Sequence, residues 1–176
     1  MRVTISGPIG SGKTTVGKIL ADRMGLGFFS GGQIFRESAR QAGMSLEQYG
    51  KSAENNPDID RRQDDLQIEV LRNNDNMVFE SRLAGWLAGT NDIRAVKVYL
   101  DAPRDVRIRR VSGREGSDFQ KEMEEMKRRE DSEVARYRKY YGIDFRNWQG
   151  YDLRIDTSNM TADEVSNRIM EFCNVR

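Results

Sequence analysis

Residues Gly7 to Thr14 read GPIGSGKT, the pattern G-x-x-x-x-G-K-[ST]. They follow an apolar, β-branched run, Val3 to Ser6, and lead into Val16, Ile19, Leu20 and Met24, which recur at helical spacing. A strand that turns through glycines into a helix commits the chain to an α/β fold, because the loop works only at the carboxyl end of a buried strand. Glycine lets the backbone turn tightly and aim successive N–H groups at phosphate oxygens, and the helix adds the positive end of its dipole. Gly7, Pro8, Ile9, Gly10, Ser11, Gly12, Lys13, Thr14 and Thr15 are therefore expected to cradle ATP. Lys13 would reach the β- and γ-phosphates as a catalytic cation, and the Thr14 hydroxyl would meet Mg²⁺, a hard cation that prefers oxygen.

The rest of the chain repeats the alternation. Gly27 to Phe29, Met77 to Glu80, Val96 to Leu100 and Leu153 to Asp156 read as four further strands, with amphipathic stretches between them, among them Val165, Ile169 and Phe172 near the end. This predicts a P-loop NTPase fold, a five-stranded parallel sheet flanked by helices on both faces. Two regions look like insertions suited to act as mobile covers. Residues 30–73 form helices with polar breaks at Gly43, Gly50 and Asn55-Asn56-Pro57, and residues 104–141 are densely charged and weakly apolar. One domain is expected, with a core of 1–29, 74–103 and 142–176, a helical substrate-binding insertion at 30–73 and a lid at 104–141.

Composition removes several classes of chemistry. At 176 residues the chain holds one core, and it has no histidine, so imidazole catalysis and histidine metal sites are excluded. Phosphoryl transfer survives, because it depends on positioning and charge neutralisation. Cys173 is the only cysteine, which excludes an internal disulfide; a half-buried thiol in a terminal helix is expected. Lys plus Arg number 29 against 28 Asp plus Glu, which leaves no global field for nucleic acid or a membrane surface. The opening MRVTIS runs straight into the glycine loop, and no stretch is long enough to span a bilayer, so a cytoplasmic protein without nucleic-acid or membrane partners is expected. A regulatory GTPase would need N-K-x-D, which is missing, and the one D-x-x-G, Asp22 to Gly25, falls at a helix end.

Glu80, closing the third strand, is the best candidate to hold Mg²⁺ with Thr14 through water, and Asp101, at the end of the next strand, is its competitor. On the charged segment, Arg129, Glu133, Arg136 and Tyr140 share one helix face, while Met123, Met126, Val134, Tyr137 and Tyr141 fall on another. Arg104, Arg107 and Arg109 read as surface or helix-pairing residues.

Five segments carry a resemblance to nucleoside-monophosphate kinases: SGGQIFR (30–36), ESRLAG (80–85), YLDAPRDVRIRRVSGRE (99–115), and RREDSEVARYRKYYGIDF (128–145) with YDLRIDTS (151–158). The last pair is most similar to the archaeal-type cytidylate kinases, and the resemblance covers nearly the whole chain. It implies an ATP- and Mg²⁺-dependent transfer to CMP or dCMP, with Gly32, Arg36, Arg82 and Glu133 on the acceptor and Arg110, Arg114, Arg129 and Arg136 closing on the transferring phosphates. A monomer is expected, and adenylate kinase or another small-molecule kinase is the alternative. Bacterial cytidylate kinases place an aspartate after the counterpart of Arg82, where this chain has Leu83, so cytosine reading does not transfer there. The remaining candidates are Gln33, Asp58, Asp60, Arg61, Gln63 and Asp64, unranked.

Overall fold

The structure, a computed structural model, describes residues 1–116 and 118–175. Five strands, β1 (Arg2–Ser6), β2 (Gly27–Ser30), β3 (Met77–Glu80), β4 (Val96–Asp101) and β5 (Leu153–Asp156), form one sheet in the order β2-β3-β1-β4-β5. Every neighbouring pair is parallel, with Ile5 opposite Glu80 and Val98 and with Ser30 opposite Glu80, so the carboxyl ends of the central strands align at one edge. The expected strands match these to within one residue at either end.

Alternation along the strands makes two cores. Val3, Ile5, Val78, Val98 and Leu100 pack with Val16 and Leu20 of α1 (Lys13–Met24) and with Val165, Ile169 and Cys173 of α8 (Ala162–Asn174). Cys173 is buried in that cluster rather than half-buried. On the opposite face, Met77, Phe79 and Tyr99 pack with Leu83, with Leu87 of α5 (Ala84–Thr90), with Leu71 of α4 (Pro57–Asn73) and with Tyr137 of α7 (Phe119–Tyr141). A smaller cluster joins Ile9 of the glycine loop to Ile108 and Val111 of α6 (Arg104–Glu115) and Met126 of α7.

The helix ends follow local chemistry. Gly25 and Gly142 close α1 and α7 in the left-handed conformation that glycine adopts without strain. Asn56 caps α4 with Pro57 in the first turn, and Ser45 and Gln48 form a capping box on α3 (Leu46–Asn55). Gly43 does end the segment after α2 (Gly31–Gln41), but Gly50 does not break its helix as expected. The capping box and the burial of Tyr49 and Ala53 outweigh the cost of about 1 kcal/mol of an internal glycine. Within the segment 104–141 the apolar face expected on the helix is the one that packs. The second half of α7 is seated in the core, because Val134, Tyr137 and Tyr141 repeat on one face of the helix. Among the described residues no helix is long and apolar enough to cross a membrane.

Candidate functional site

The loop between β1 and α1 is fixed by close backbone approach. Gly7 has φ 151°, and a Cβ there would overlap the Leu100 carbonyl oxygen; at Gly10, φ 77°, it would stand 2.7 Å from the Arg107 carbonyl oxygen. Gly12, φ 95°, starts α1 with no side-chain cap, which leaves the N–H groups of the first turn for an anion in the loop. Lys13 is only 6% exposed and donates from Nζ to the Pro8 carbonyl at 2.7 Å. Burial first, and then the neighbouring Arg82, push its pKa down to about 7 against the pull of Glu80 and Glu133. An anion in the loop would supply opposite charge that favours the protonated ammonium.

Beside Lys13, the Thr14 hydroxyl donates to Glu80 Oε1 at 3.1 Å, and the Ser30 hydroxyl donates to the same oxygen at 2.5 Å. Parallel register places Ser30 beside Glu80 at the ends of β2 and β3, and the glycine loop after β1 brings Thr14, in the first turn of α1, to the same carboxylate. A hydroxyl and a carboxylate suit a hard cation that keeps several waters and takes its other oxygens from phosphates. Among the described residues no group of three or more acidic or thiol side chains could hold a metal by itself. Asp101 accepts from the Ala102 N–H at its own strand end, and it is Glu80 that takes the Thr14 hydrogen bond.

Arg82 pairs with Glu133 of α7, Nε to Oε2 at 2.7 Å, with both side chains largely buried. Burial opposes both charges, yet each overrides it for the other, so Arg82 is held above and Glu133 below its ordinary value. Arg36 is exposed on α2, and its Nη1 would lie 3.6 Å from a Cβ at Gly32. Lys13, Thr14, Glu80, Arg82 and Glu133 thus form one charged cluster. Arg129 stands exposed on α7 one turn before Glu133, close enough to lower its pKa further.

Other sequence candidates sit elsewhere. Arg136 is buried against Asp60 of α4, Nε to Oδ2 at 2.8 Å, and donates to Ser132 at 2.6 Å. Arg110 donates to the Thr157 hydroxyl at 2.9 Å and to its carbonyl at 2.5 Å, and Thr157 in turn donates to the Ser11 carbonyl behind the loop. Arg114 is exposed on the last turn of α6. Leu83 packs in the second core, while Asp58, Arg61 and Gln33 are exposed.

Two features escaped the sequence. Arg107, grouped there with surface or helix-pairing residues, is 7% exposed: it donates to the Ile9 carbonyl at 2.8 Å and the Ala102 carbonyl at 2.9 Å and pairs with Glu130 of α7. Its helical phase, four residues before Val111, was the available signal. Arg104, 3.2 Å from Glu130, and Arg109, 2.6 Å from Asp105, are pairing residues as expected. The second feature is a buried polar face on α4, where Asp60, Gln63 and Asp64 are joined by Gln67, at i, i+3, i+4 and i+7.

The model of the cytidylate kinase-like family matches residues 2–159. A cytidylate kinase of Archaeoglobus fulgidus is 42% identical over 176 residues, covering 100% of this chain and 96% of its own. That of Thermoplasma acidophilum is 41% identical, covering 98% and 94%, and that of Sulfurisphaera tokodaii 40%, covering 99% and 96%. Among solved structures, an uncharacterized protein from Eubacterium ventriosum superposes with a TM-score of 0.74 at 20% identity, over 100% of this chain and 99% of that one. Shikimate kinase from Aquifex aeolicus gives 0.63 at 18% identity, over 99% and 96%. At such identities these two share the fold.

Proposed function

The chain belongs to the cytidylate kinase-like family, and on that premise we propose that it transfers the γ-phosphoryl group of ATP to CMP or dCMP, giving CDP or dCDP. The observation that carries the reading is the single cluster in which Lys13, Thr14 and Glu80 adjoin the Arg82–Glu133 pair, two phosphate-binding elements in one cleft.

ATP lies along Gly7 to Thr15, with Lys13 on the oxygens where charge develops. Thr14 and Glu80 would hold Mg²⁺, Glu80 through water, and the cation would supply positive charge against the phosphates of ATP. Arg36 and Arg82 hold the acceptor's monophosphate, with Gly32 allowing close approach and Glu133 orienting Arg82. No protein base is required, because the acceptor phosphate is already ionised at neutral pH and attacks the γ-phosphorus in line. Residues 30–73 and, of 104–141, the part before the core-seated half of α7 close on the substrates, bringing Arg114 and Arg129 toward them and excluding water as a rival acceptor, while Arg110 supports the site from Thr157 behind the loop and Arg136 from Asp60 of α4. The protein works as a cytoplasmic monomer on free nucleotides.

A panel of acceptors with ATP tests this. CMP and dCMP should exceed AMP, GMP and UMP in kcat/KM by at least about tenfold, since a pocket that hydrogen-bonds a polar edge discriminates at least that well. AMP as the best acceptor would overturn the cytidylate reading, and inertness toward all nucleoside monophosphates would overturn the acceptor side entirely.

A further inference from the structure

The buried face of α4 carries more hydrogen-bonding capacity than the protein itself uses. The Gln63 amide donates to the Ser38 hydroxyl at 2.7 Å. The Gln67 amide donates to Asp64 Oδ1 at 3.2 Å, and Tyr141 of α7 donates to the other Asp64 oxygen at 2.5 Å. Among the described residues the oxygens of both glutamines have no partner, although Gln63 is 4% and Gln67 8% exposed. An acceptor buried without a donor is costly, so native proteins leave few of them. The Ser81 hydroxyl is a third unpartnered group, and it adjoins Gln67: a Cβ on Gly31 would lie 2.6 Å from Ser81 Cβ and 2.7 Å from Gln67 Oε1. Ser81 stands between Glu80 and Arg82, and Gly31 follows Ser30, whose hydroxyl meets Glu80, so the Gln67 oxygen packs against the two backbone segments that carry the cleft assigned to the acceptor.

The two amides differ in freedom. Ser38 can donate or accept, so Gln63 can turn over and keep its bond. Gln67 cannot while Asp64 is ionised, because reversal would set its oxygen against an Asp64 oxygen that carries no proton while Tyr141 occupies the other. We infer that Gln67 is a specificity-determining residue whose fixed amide oxygen accepts a hydrogen bond from the exocyclic amino group of the acceptor base, and so separates an amino pyrimidine from its oxo counterpart. This rests on the proposed transfer to a nucleoside monophosphate. Cytosine offers an N–H donor where uracil offers a carbonyl oxygen, which would face the Gln67 oxygen with no proton between them. Asp64 and Tyr141 act as positioning residues, holding the amide in the orientation that favours the amino group.

The test compares kcat/KM for CMP and UMP, with saturating ATP and above the pH at which Asp64 ionises, in wild type, Gln67→Met and Asp64→Asn. Gln67→Met keeps the volume and loses the acceptor, and should lower the CMP-to-UMP ratio at least about tenfold with the KM for ATP unchanged. Asp64→Asn leaves Gln67 in place but removes its fixed orientation, because Tyr141 can accept as well as donate and the new amide can then present either its oxygen or its N–H to Gln67, which should lower the same ratio. If Gln67→Met fails to fold in a thermal melt, Asp64→Asn decides alone. A wild type that phosphorylates CMP, with a ratio changed by less than about threefold in the folded variants, overturns this inference and leaves the proposed function standing. A wild type inert toward every nucleoside monophosphate sinks both.

Discussion

Arg107→Ala removes the buried brace behind the phosphate loop, and its cost follows from what the guanidinium holds. Two backbone carbonyls, of Ile9 and Ala102, lose a charged donor, and Glu130 loses its closest cation. Hydrogen bonds from a charged group contribute about 1.5 to 3 kcal/mol each, and Glu130 keeps Arg104 as a second partner, so the expected loss is about 3 to 5 kcal/mol. At about 2 to 4 °C per kcal/mol for a domain of this size, the melting temperature should fall by roughly 6 to 20 °C. Urea unfolding at fixed pH measures the free energy, and an unchanged slope shows that the same surface is exposed. Arg107→Lys restores charge but reaches fewer acceptors than the planar fork, so it should recover less than about half of the loss. The reasoning fails if alanine costs under about 1 kcal/mol or if lysine restores stability fully, since the fork geometry would then be immaterial.

Three further outcomes are expected. Lys13→Ala should lower kcat by roughly a hundredfold to a thousandfold, the scale for one preorganised contact to developing charge, and near-normal turnover in a steady-state assay would remove Lys13 from the chemistry. Arg36→Ala and Arg82→Ala should each raise the KM for the acceptor with little change for ATP; Arg82→Ala alone should also destabilise the fold, by about 3 to 5 kcal/mol, because Glu133 stays buried without its partner. A pH series of unfolding free energies should show the buried Asp64. Burial first, then Asp60 and Asp65, raise its pKa from 3.8 to about 7 against the Tyr141 hydrogen bond and the charge of Arg136. The folded protein therefore binds this proton more tightly than the unfolded chain does, and the stabilisation is complete below about pH 4 and lost as pH rises through about 7, a span worth about 4 kcal/mol. Lys13 is protonated in both states over most of that window, so the difference between wild type and Asp64→Asn isolates the group, and parallel curves would refute the assignment.

The sheet was legible because both of its signals are local. β-branched runs such as Val3 to Ser6 and Val96 to Leu100 declare strands on both of whose faces something must pack, and the glycine loop fixes where the first helix starts. The proximity of Thr14 and Glu80 was legible for the same reason, since a glycine loop of fixed length carries Thr14 from the end of β1 to the first turn of α1, beside the end of the neighbouring parallel strand that Glu80 closes. Arg107 was not, because a charged residue among arginines looks alike on a surface and in a brace; only the tertiary position of Ile9 and Glu130 distinguishes it. The face of α4 was half visible: Asp60, Gln63 and Asp64 stood out singly, but polar residues at helical spacing ordinarily signal solvent, and Gln67 gave no cue until α2 and α7 were seen to cover it. Gly50 misled through the opposite bias, a residue whose propensity was overruled by a strong cap and by packing.

The unbroken run of α7 has a consequence for how the chain can change length. Glu130 is tied to the phosphate loop through Arg107, three residues later Glu133 meets Arg82, and Arg136 and Tyr137 then meet α4 and the core. One residue inserted between Glu130 and Glu133 would turn everything downstream by about 100°, carrying Tyr137 out of the core and Glu133 away from Arg82. Seven would nearly restore the rotation but move the face along by about 10 Å, away from its partners. Indels inside this helix are thus closed to gradual trial, whereas the left-handed glycines at 116 and 142 mark ends where extra residues can be absorbed without changing its phase.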